Sequence, residues 1–386
     1  MPHFIASKIV HPSYPLSVDG YCFSDLLRNL DYSSEELVRV LHEGREFFLR
    51  IKYRVKEGDI LVRFDKSTRI SPVGIIKKAL RLFAQKSEAK ILSSNLNSVD
   101  SPRQRSESPF LKTPDSFMRL LERNYWLEIG FGSGRHLLHQ AQTHRDREFI
   151  GLEIHTPSIE QVLRRIELMG LDNISIVSYD ARVFLELLPS NSIERVFIHF
   201  PVPWDKKPHR RVFSAPFLSE VLRVLKRGGS LELRSDSLEY FHFVTSLLLS
   251  REHVEFCVRK NRDAAIASKY EERWRRQNKD IYDLLLHNYE VSEERARGFS
   301  FAFPEIRARS AEIQKEIHER WFVNLEYRYA SENGDKMAFR SSFGDFAYPE
   351  KKYIWCESNH ARYFNTPPIP TEANHLAHKR LCEWLA

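Results

Sequence analysis

Glu128 stands two residues ahead of the first of three alternating glycines in Leu127-Glu128-Ile129-Gly130-Phe131-Gly132-Ser133-Gly134. Glycines so spaced let the backbone turn through positive φ and approach a ligand with no Cβ in the way. Dinucleotide sites share that pattern, so on its own it is a weak indicator. Two further acids sharpen it. Glu153 ends the run Phe149-Ile150-Gly151-Leu152, where its two oxygens would accept from both hydroxyls of an adenosine ribose. Asp180 follows Ile174-Ser175-Ile176-Val177-Ser178-Tyr179, placed to accept from an adenine amino group. Glu128 would attract an ammonium and tolerate a sulfonium. Three carboxylates lining one crevice favour a cationic ligand over a pyrophosphate, whose charges would meet Glu128 unfavourably. Any one of these acids is better explained as a helix cap or solvated strand end; the ordered trio carries the expectation of a cofactor.

A second constellation is Phe200-Pro201-Val202-Pro203-Trp204-Asp205-Lys206-Lys207-Pro208-His209-Arg210-Arg211. Two prolines fix an extended rim that cannot continue a sheet ladder. Trp204 is placed to stack on a base and the cations after it to hold phosphates. An equally weighted alternative is a loop with a buried anchoring Trp204 and solvated Lys and Arg.

These residues need a scaffold of alternating strands and helices. The runs YWLEI, EFIGLE, ISIVS, RVFIHF, SLELRS, EFCV and IYDLLL predict seven strands between residues 115 and 290. Amphipathic stretches, Ser158 to Met169 and Phe217 to Leu225 among them, separate the early ones, and Ile159, Val162, Leu163 and Ile166 share one helical face. The expectation is an α/β domain with a mostly parallel seven-stranded sheet covered by helices on both faces. Flanking it are two smaller strand-rich domains, residues 1–92 and 291–386, with a Ser-rich linker over 93–114. In the first, Leu49, Ile51, Tyr53 and Val55 alternate with Arg50, Lys52 and Arg54, and the turn 56–59 predicts a hairpin into Ile60 to Phe64. The cations of that hairpin are either a solvated edge or an extension of a nucleic-acid surface, the former slightly favoured. A helix over Val73 to Phe83 follows, with Lys77, Lys78 and Arg81 on its polar side. In the last domain, alternation over Trp321 to Tyr329 and the turn Asn333-Gly334 predict another hairpin, followed by a strand at KYIWC and a short helix over His378 to Leu385.

The chain of 386 residues carries a formal net charge of +7 with 42% hydrophobic residues. The basic balance suits a polyanionic partner but is weak alone. No stretch approaches the roughly 18 apolar residues of a membrane span, and the first residues show no basic segment followed by an apolar core. Cys22, Cys257, Cys356 and Cys382 form no CxxC pair, so neither a zinc site nor a disulfide framework is expected, and a reducing, cytoplasmic setting fits.

The series EIGFGSG, GLE, YDA, FPVPW with Lys206 and His209, then Ser235-Asp236 and Ser268-Lys269-Tyr270-Glu271, resembles the bacterial tRNA (guanine-N7-)-methyltransferase family. The resemblance covers about Asp115 to Asn288, in the family's order and at compatible spacing. It implies a Rossmann-like class I methyltransferase fold. It further implies that Gly130, Gly132, Gly134, Glu128, Glu153 and Asp180 bind S-adenosylmethionine, and that Lys206, His209, Asp236, Ser268 and Glu271 contact tRNA or its target guanine in the variable loop. The family's terminal motif begins with Thr where this chain has Ser268, which keeps the hydroxyl. A larger departure is Val202, which stands where the family has Asp, so no catalytic carboxylate transfers to that position; Asp205 lies nearby, though a solvent-facing role is favoured for it. Guanine N7 has a lone pair and no proton, so its alkylation needs no general base, and Asp236 or Glu271 would orient the base. Alternatives are a noncatalytic tRNA-binding protein, for which Val202 is the best support, and a methyltransferase for another RNA or a small molecule.

Overall fold

Apolar runs bounded by glycines, serines and charged turns become strands throughout the chain, and the computed structural model describes residues 1–68, 70, 72–96, 108–120, 124–251, 254–262, 279–295, 298–306 and 311–386. They divide into two units, residues 107–298 and residues 1–106 with 299–386.

The strands of unit 107–298 are β1 (Leu111–Lys112), β2 (Tyr125–Ile129), β3 (Glu148–Leu152), β4 (Ile174–Val177), β5 (Ile193–His199), β6 (Leu225–Ser235), β7 (Glu255–Lys260) and β8 (Tyr282–His287). They lie side by side as β7-β8-β6-β5-β2-β3-β4-β1. β8 runs antiparallel to β6 and β7, while the other neighbours are parallel. All seven runs read from the sequence are strands, but the sheet has eight. The addition is β1, in the stretch assigned to a linker, where Leu111 and Lys112 pair with Ile176 and Val177. Two residues are too few to show a period; they are strand because β4 would otherwise present an open edge.

The intervening helices are α1 (Arg135–Thr143), α2 (Thr156–Met169), α3 (Ala181–Leu187), α4 (Ala215–Val224) and α5 (Leu238–Leu249). On α2 the face Ile159, Val162, Leu163 and Ile166 is buried, as its spacing requires, and Gly170 in the left-handed region ends the helix. Ser214 and Ser237 cap α4 and α5 through their side-chain oxygens. β3 and β4 add outward from β2 in one direction and β6 from β5 in the other, so the strand order reverses between β2 and β5. In open α/β sheets ligands bind outside the carboxyl ends of strands at that reversal.

Register carries the side chains that matter. Gly151, Glu128, Phe197, Glu232 and Leu285 are partners across β3, β2, β5, β6 and β8. Residues in register share a face, so Glu128 and Glu232 point to the same side of the sheet, flanking Phe197.

The other unit corrects the expectation of two separate flanking domains. Strands from both ends of the chain join one sheet, with Phe322–Ala330 pairing with Tyr21–Asn29 through Tyr329↔Asn29 and Ala330↔Arg28. Pairing between segments so far apart leaves no local pattern. Ile91–Ser94, at the start of the expected linker, is likewise a strand against His3–Ala6. Both hairpins form, as Arg45–Arg54 with Asp59–Phe64 and as Phe322–Ala330 with Lys336–Gly344. The cations of the first do not form an exposed stripe. Their strand is flanked on both sides, Arg50 is 8% exposed and bound to Glu35, and Arg54 is bidentate on Asp59. Lys77 is buried in helix Val73–Lys86 instead of facing solvent. The C-terminal helix is longer than read, Glu372–Leu385, and Thr371 caps it. Among the described residues no helix is long and apolar enough to cross a membrane.

Candidate cofactor and substrate site

Glu128, Glu153 and Asp180 sit at or just beyond the carboxyl ends of β2, β3 and β4, three adjacent strands. After β2 the chain turns through Gly130, Gly132 and Gly134 with φ of +70°, +51° and +70°. Gly134 is constrained twice: its backbone is left-handed, and a Cβ there would lie 2.4 Å from Val162 Cγ2 on α2.

Glu153 is held by the backbone. Its Oε2 accepts from Gly132 N–H at 3.0 Å, and its Oε1 from Ile154 and His155 N–H at 2.8 and 2.9 Å. A carboxylate has roughly four acceptor positions, so one remains, on Oε2, unless the Gly132 amide gives way. Asp180 behaves as the helix cap that was the simpler expectation for a single acid. It caps α3 through Arg182 N–H at 2.9 Å, and the Arg182 guanidinium binds both its oxygens at 3.0 and 2.7 Å.

Glu128 is 4% exposed and its Oε2 accepts from His136 Nδ1 of α1 at 2.7 Å, so it is not a free anion. The pair continues into a chain the sequence reading missed. The His136 and His199 rings are 4.4 Å apart, and His199 Nε2 donates to Glu232 Oε1 at 3.1 Å. Arg262 also donates to Glu232 Oε1, at 3.2 Å, and lies 3.7 Å from Asp283, which pairs with Arg234. Burial acts to lower the His136 pKa, but the Glu128 carboxylate more than offsets this and the net shift is upward. Burial dominates at His199 and shifts it down, despite Glu232. Glu232 would be raised by burial, yet the His199 hydrogen bond and Arg262 bring it to about 2. The available signal was chemical: Glu128, His199, Glu232 and Arg234 are ionisable residues in the runs YWLEI, VFIH and LELR of a largely parallel sheet, where charges persist only when paired.

The rim following β5 starts and pivots on two residues in the left-handed region, Phe200 with φ +51° and Trp204 with φ +48°. Such strain in non-glycine residues concentrates at functional sites. Trp204 is 38% exposed, with the Arg210 guanidinium 5.2 Å from its ring centroid, so it is not a buried anchor. Val202 is 60% exposed, and Lys206 and His209 face solvent. The anchor is Arg211, buried, donating to Pro203 O at 2.7 Å and to Glu239 of α5 at 2.9 Å. Asp205 is exposed and 3.6 Å from Arg211, the solvent-facing placement that was favoured for it. Asp236, just past β6, pairs with Lys279 at 3.2 Å. Ser268 and Glu271 lie outside the described residues.

Arg211→Met removes the rim's anchor while keeping its apolar stem. The expected result is a several-fold rise in the KM for RNA with an unchanged Kd for the cofactor, compared by steady-state kinetics and calorimetry. Equal loss in both would make Arg211 a general stability residue.

A family described as putative methyltransferase matches residues 122–284. The tRNA (guanine-N(7)-)-methyltransferase of Wolinella succinogenes is 64% identical, covering 100% of both chains. Proteins of the same name from Helicobacter hepaticus and Campylobacter fetus are 41% and 36% identical, each over 100% of this chain and 99% of the relative. Identity at that level along the whole length includes the strand-rich unit as well as the glycine loop and rim, and so the chain belongs to the tRNA (guanine-N(7)-)-methyltransferase family.

Proposed function

We propose that this protein transfers the methyl group of S-adenosylmethionine to N7 of a variable-loop guanine in tRNA, leaving N7-methylguanosine and S-adenosylhomocysteine, and that it does so in the cytoplasm. The observation that carries the reading is the set of acids on three adjacent strand tips, beside an exposed aromatic and basic rim, in a chain with full-length relatives of that name.

The residues present fit the cofactor. Gly130, Gly132 and Gly134 make a turn that a ligand's backbone-facing side can approach, and Glu153 is oriented by three amides with an acceptor position open for a ribose hydroxyl. Asp180 accepts the adenine amino group only by sharing its oxygens with Arg182. Glu128, oriented by His136, would face the methionine part. When bound, S-adenosylmethionine supplies a methyl group on a sulfonium, an activated leaving group. Guanine N7 offers its lone pair directly, so the chain's task is to hold methyl, sulfur and N7 in line. Positioning of this kind contributes up to about 7–11 kcal/mol, which is why Val202 in place of a carboxylate is compatible with turnover. Trp204 stacks on a base, Lys206 and His209 hold phosphates, Asp236 or Glu271 orients the guanine, and Ser268 contacts the tRNA.

Nucleoside mass spectrometry of tRNA incubated with labelled S-adenosylmethionine tests this. Labelled N7-methylguanosine is expected, and none when 7-deazaguanosine, which has no N7, replaces the target. Lys206→Ala should weaken tRNA binding several-fold and lower its salt slope by about one. Cofactor binding with no methyl transfer to any tRNA would instead support a noncatalytic tRNA-binding protein, the reading that the exposed Val202 favours.

A further inference from the structure

A largely enclosed chain of side chains runs from Glu128 to Glu232, and the transfer chemistry above gives its members His199 and Glu232 no task. His199 is its midpoint. It is the last residue of β5 and directly precedes the rim. Every element packed around it presents a charged or titratable group to the cluster: Glu128 from β2, His136 from α1, Glu232 and Arg234 from β6, Asp283 from β8, and Arg262 beyond β7. Among the described residues, three carboxylates of the cluster, Glu128, Glu232 and Asp283, stand against three basic groups, His136, Arg234 and Arg262. A neutral His199 leaves the charge of these described groups as it stands, whereas a protonated one adds a positive charge to it.

We propose that His199 is a specificity-determining residue of the transfer: uncharged between His136 and Glu232, it allows the site to prefer the sulfonium of the methyl donor over the neutral thioether of the spent cofactor. The proposal rests on the reading of this chain as an S-adenosylmethionine-dependent enzyme. Two imidazoles in ring contact resist being cationic together, and His136 has the stronger claim to the proton because Glu128 holds it at 2.7 Å. Burial works in the same direction on His199, which therefore titrates below the ordinary histidine range. When it does take up a proton, the added charge opposes a sulfonium and leaves a thioether untouched. Both ligands share the ribose, adenine, ammonium and carboxylate, so general effects of acid on the protein cancel in the ratio of their affinities.

The experiment is calorimetric titration of the full-length protein with S-adenosylmethionine and with S-adenosylhomocysteine between pH 8 and pH 5.5. The expected result is that the ratio Kd(S-adenosylmethionine)/Kd(S-adenosylhomocysteine) rises several-fold toward acid as His199 takes up its proton. His199→Asn keeps a donor for Glu232 but cannot titrate, and should flatten the ratio; His199→Gln serves the same purpose should the first variant not fold. A ratio that stays flat while the His199 imidazole, followed by NMR, takes up its proton, or that is unchanged at pH 8 in His199→Lys, overturns the proposal. An acid rise that survives in either variant also overturns it, by assigning the charge to another group. Failure of both ligands to bind at pH 8 would instead sink the cofactor reading itself.

Discussion

Glu153→Ala is expected to raise the Kd of S-adenosylmethionine and of S-adenosylhomocysteine together, by about 30-fold or more, in calorimetric titration. Hydrogen bonds to a charged acceptor contribute roughly 1.5–3 kcal/mol each. Alanine removes the acceptor open to the ribose and also releases the amides of Gly132, Ile154 and His155. The second consequence is separable from the first. Gly132 lies in the glycine loop, so losing its tie to Glu153 loosens the turn that faces the ligand, and thermal unfolding should show a stability loss of about 1–3 kcal/mol. Glu153→Gln, which keeps one good acceptor oxygen, should fall between the two. Because both ligands carry the same ribose, their affinities should move in parallel, unlike the divergence expected from His199. Unchanged affinity for both would remove Glu153 from the cofactor site.

Gly134→Ala should be among the most destabilising single-methyl additions in this unit. Two costs combine there. A non-glycine residue at φ +70° pays about 1–2 kcal/mol, and the added Cβ, 2.4 Å from Val162 Cγ2, overpacks the contact between loop and helix by about 1–3 kcal/mol. Val162→Ala takes away the obstructing methyl, so the double variant should recover the overpacking part while retaining the conformational part. Denaturant unfolding of the wild type, both singles and the double isolates that coupling. Simple additivity of the two single effects would show that Val162 is not what Gly134 avoids.

The glycine loop and the acids after β2, β3 and β4 were readable because each depends on a few contiguous residues. A glycine run after an apolar pentapeptide must turn, and an acid closing an apolar run must lie at the strand's tip. The rim was readable for a similar reason, since prolines at 201 and 203 end a ladder wherever they occur. What the tips are bonded to was another matter. Even at Asp180, where Arg182 is only two residues away, the bidentate pair depends on α3 beginning at Ala181. For His136 and His199 the sequence separation exceeds any local period, and their contact exists because β5 pairs with β2. The hairpin at residues 45–64 shows the same limit from the opposite side. Its turn and strands were plain, yet Arg50 is buried against Glu35 because the strand lies within a sheet and not at its margin.

Local patterns of apolar spacing, glycine, proline and charge act over a handful of residues, and by themselves they determined the alternation of strands and helices, the glycine turn after β2, and which acids stand at strand tips. Only the order of strands decided that the chain's two ends share one sheet, that Leu111 and Lys112 extend the other, and that Glu128, His136, His199, Glu232 and Arg262 become one electrostatic unit. Ion pairing and desolvation depend on distance in space, which chain connectivity leaves open until the sheet is assembled.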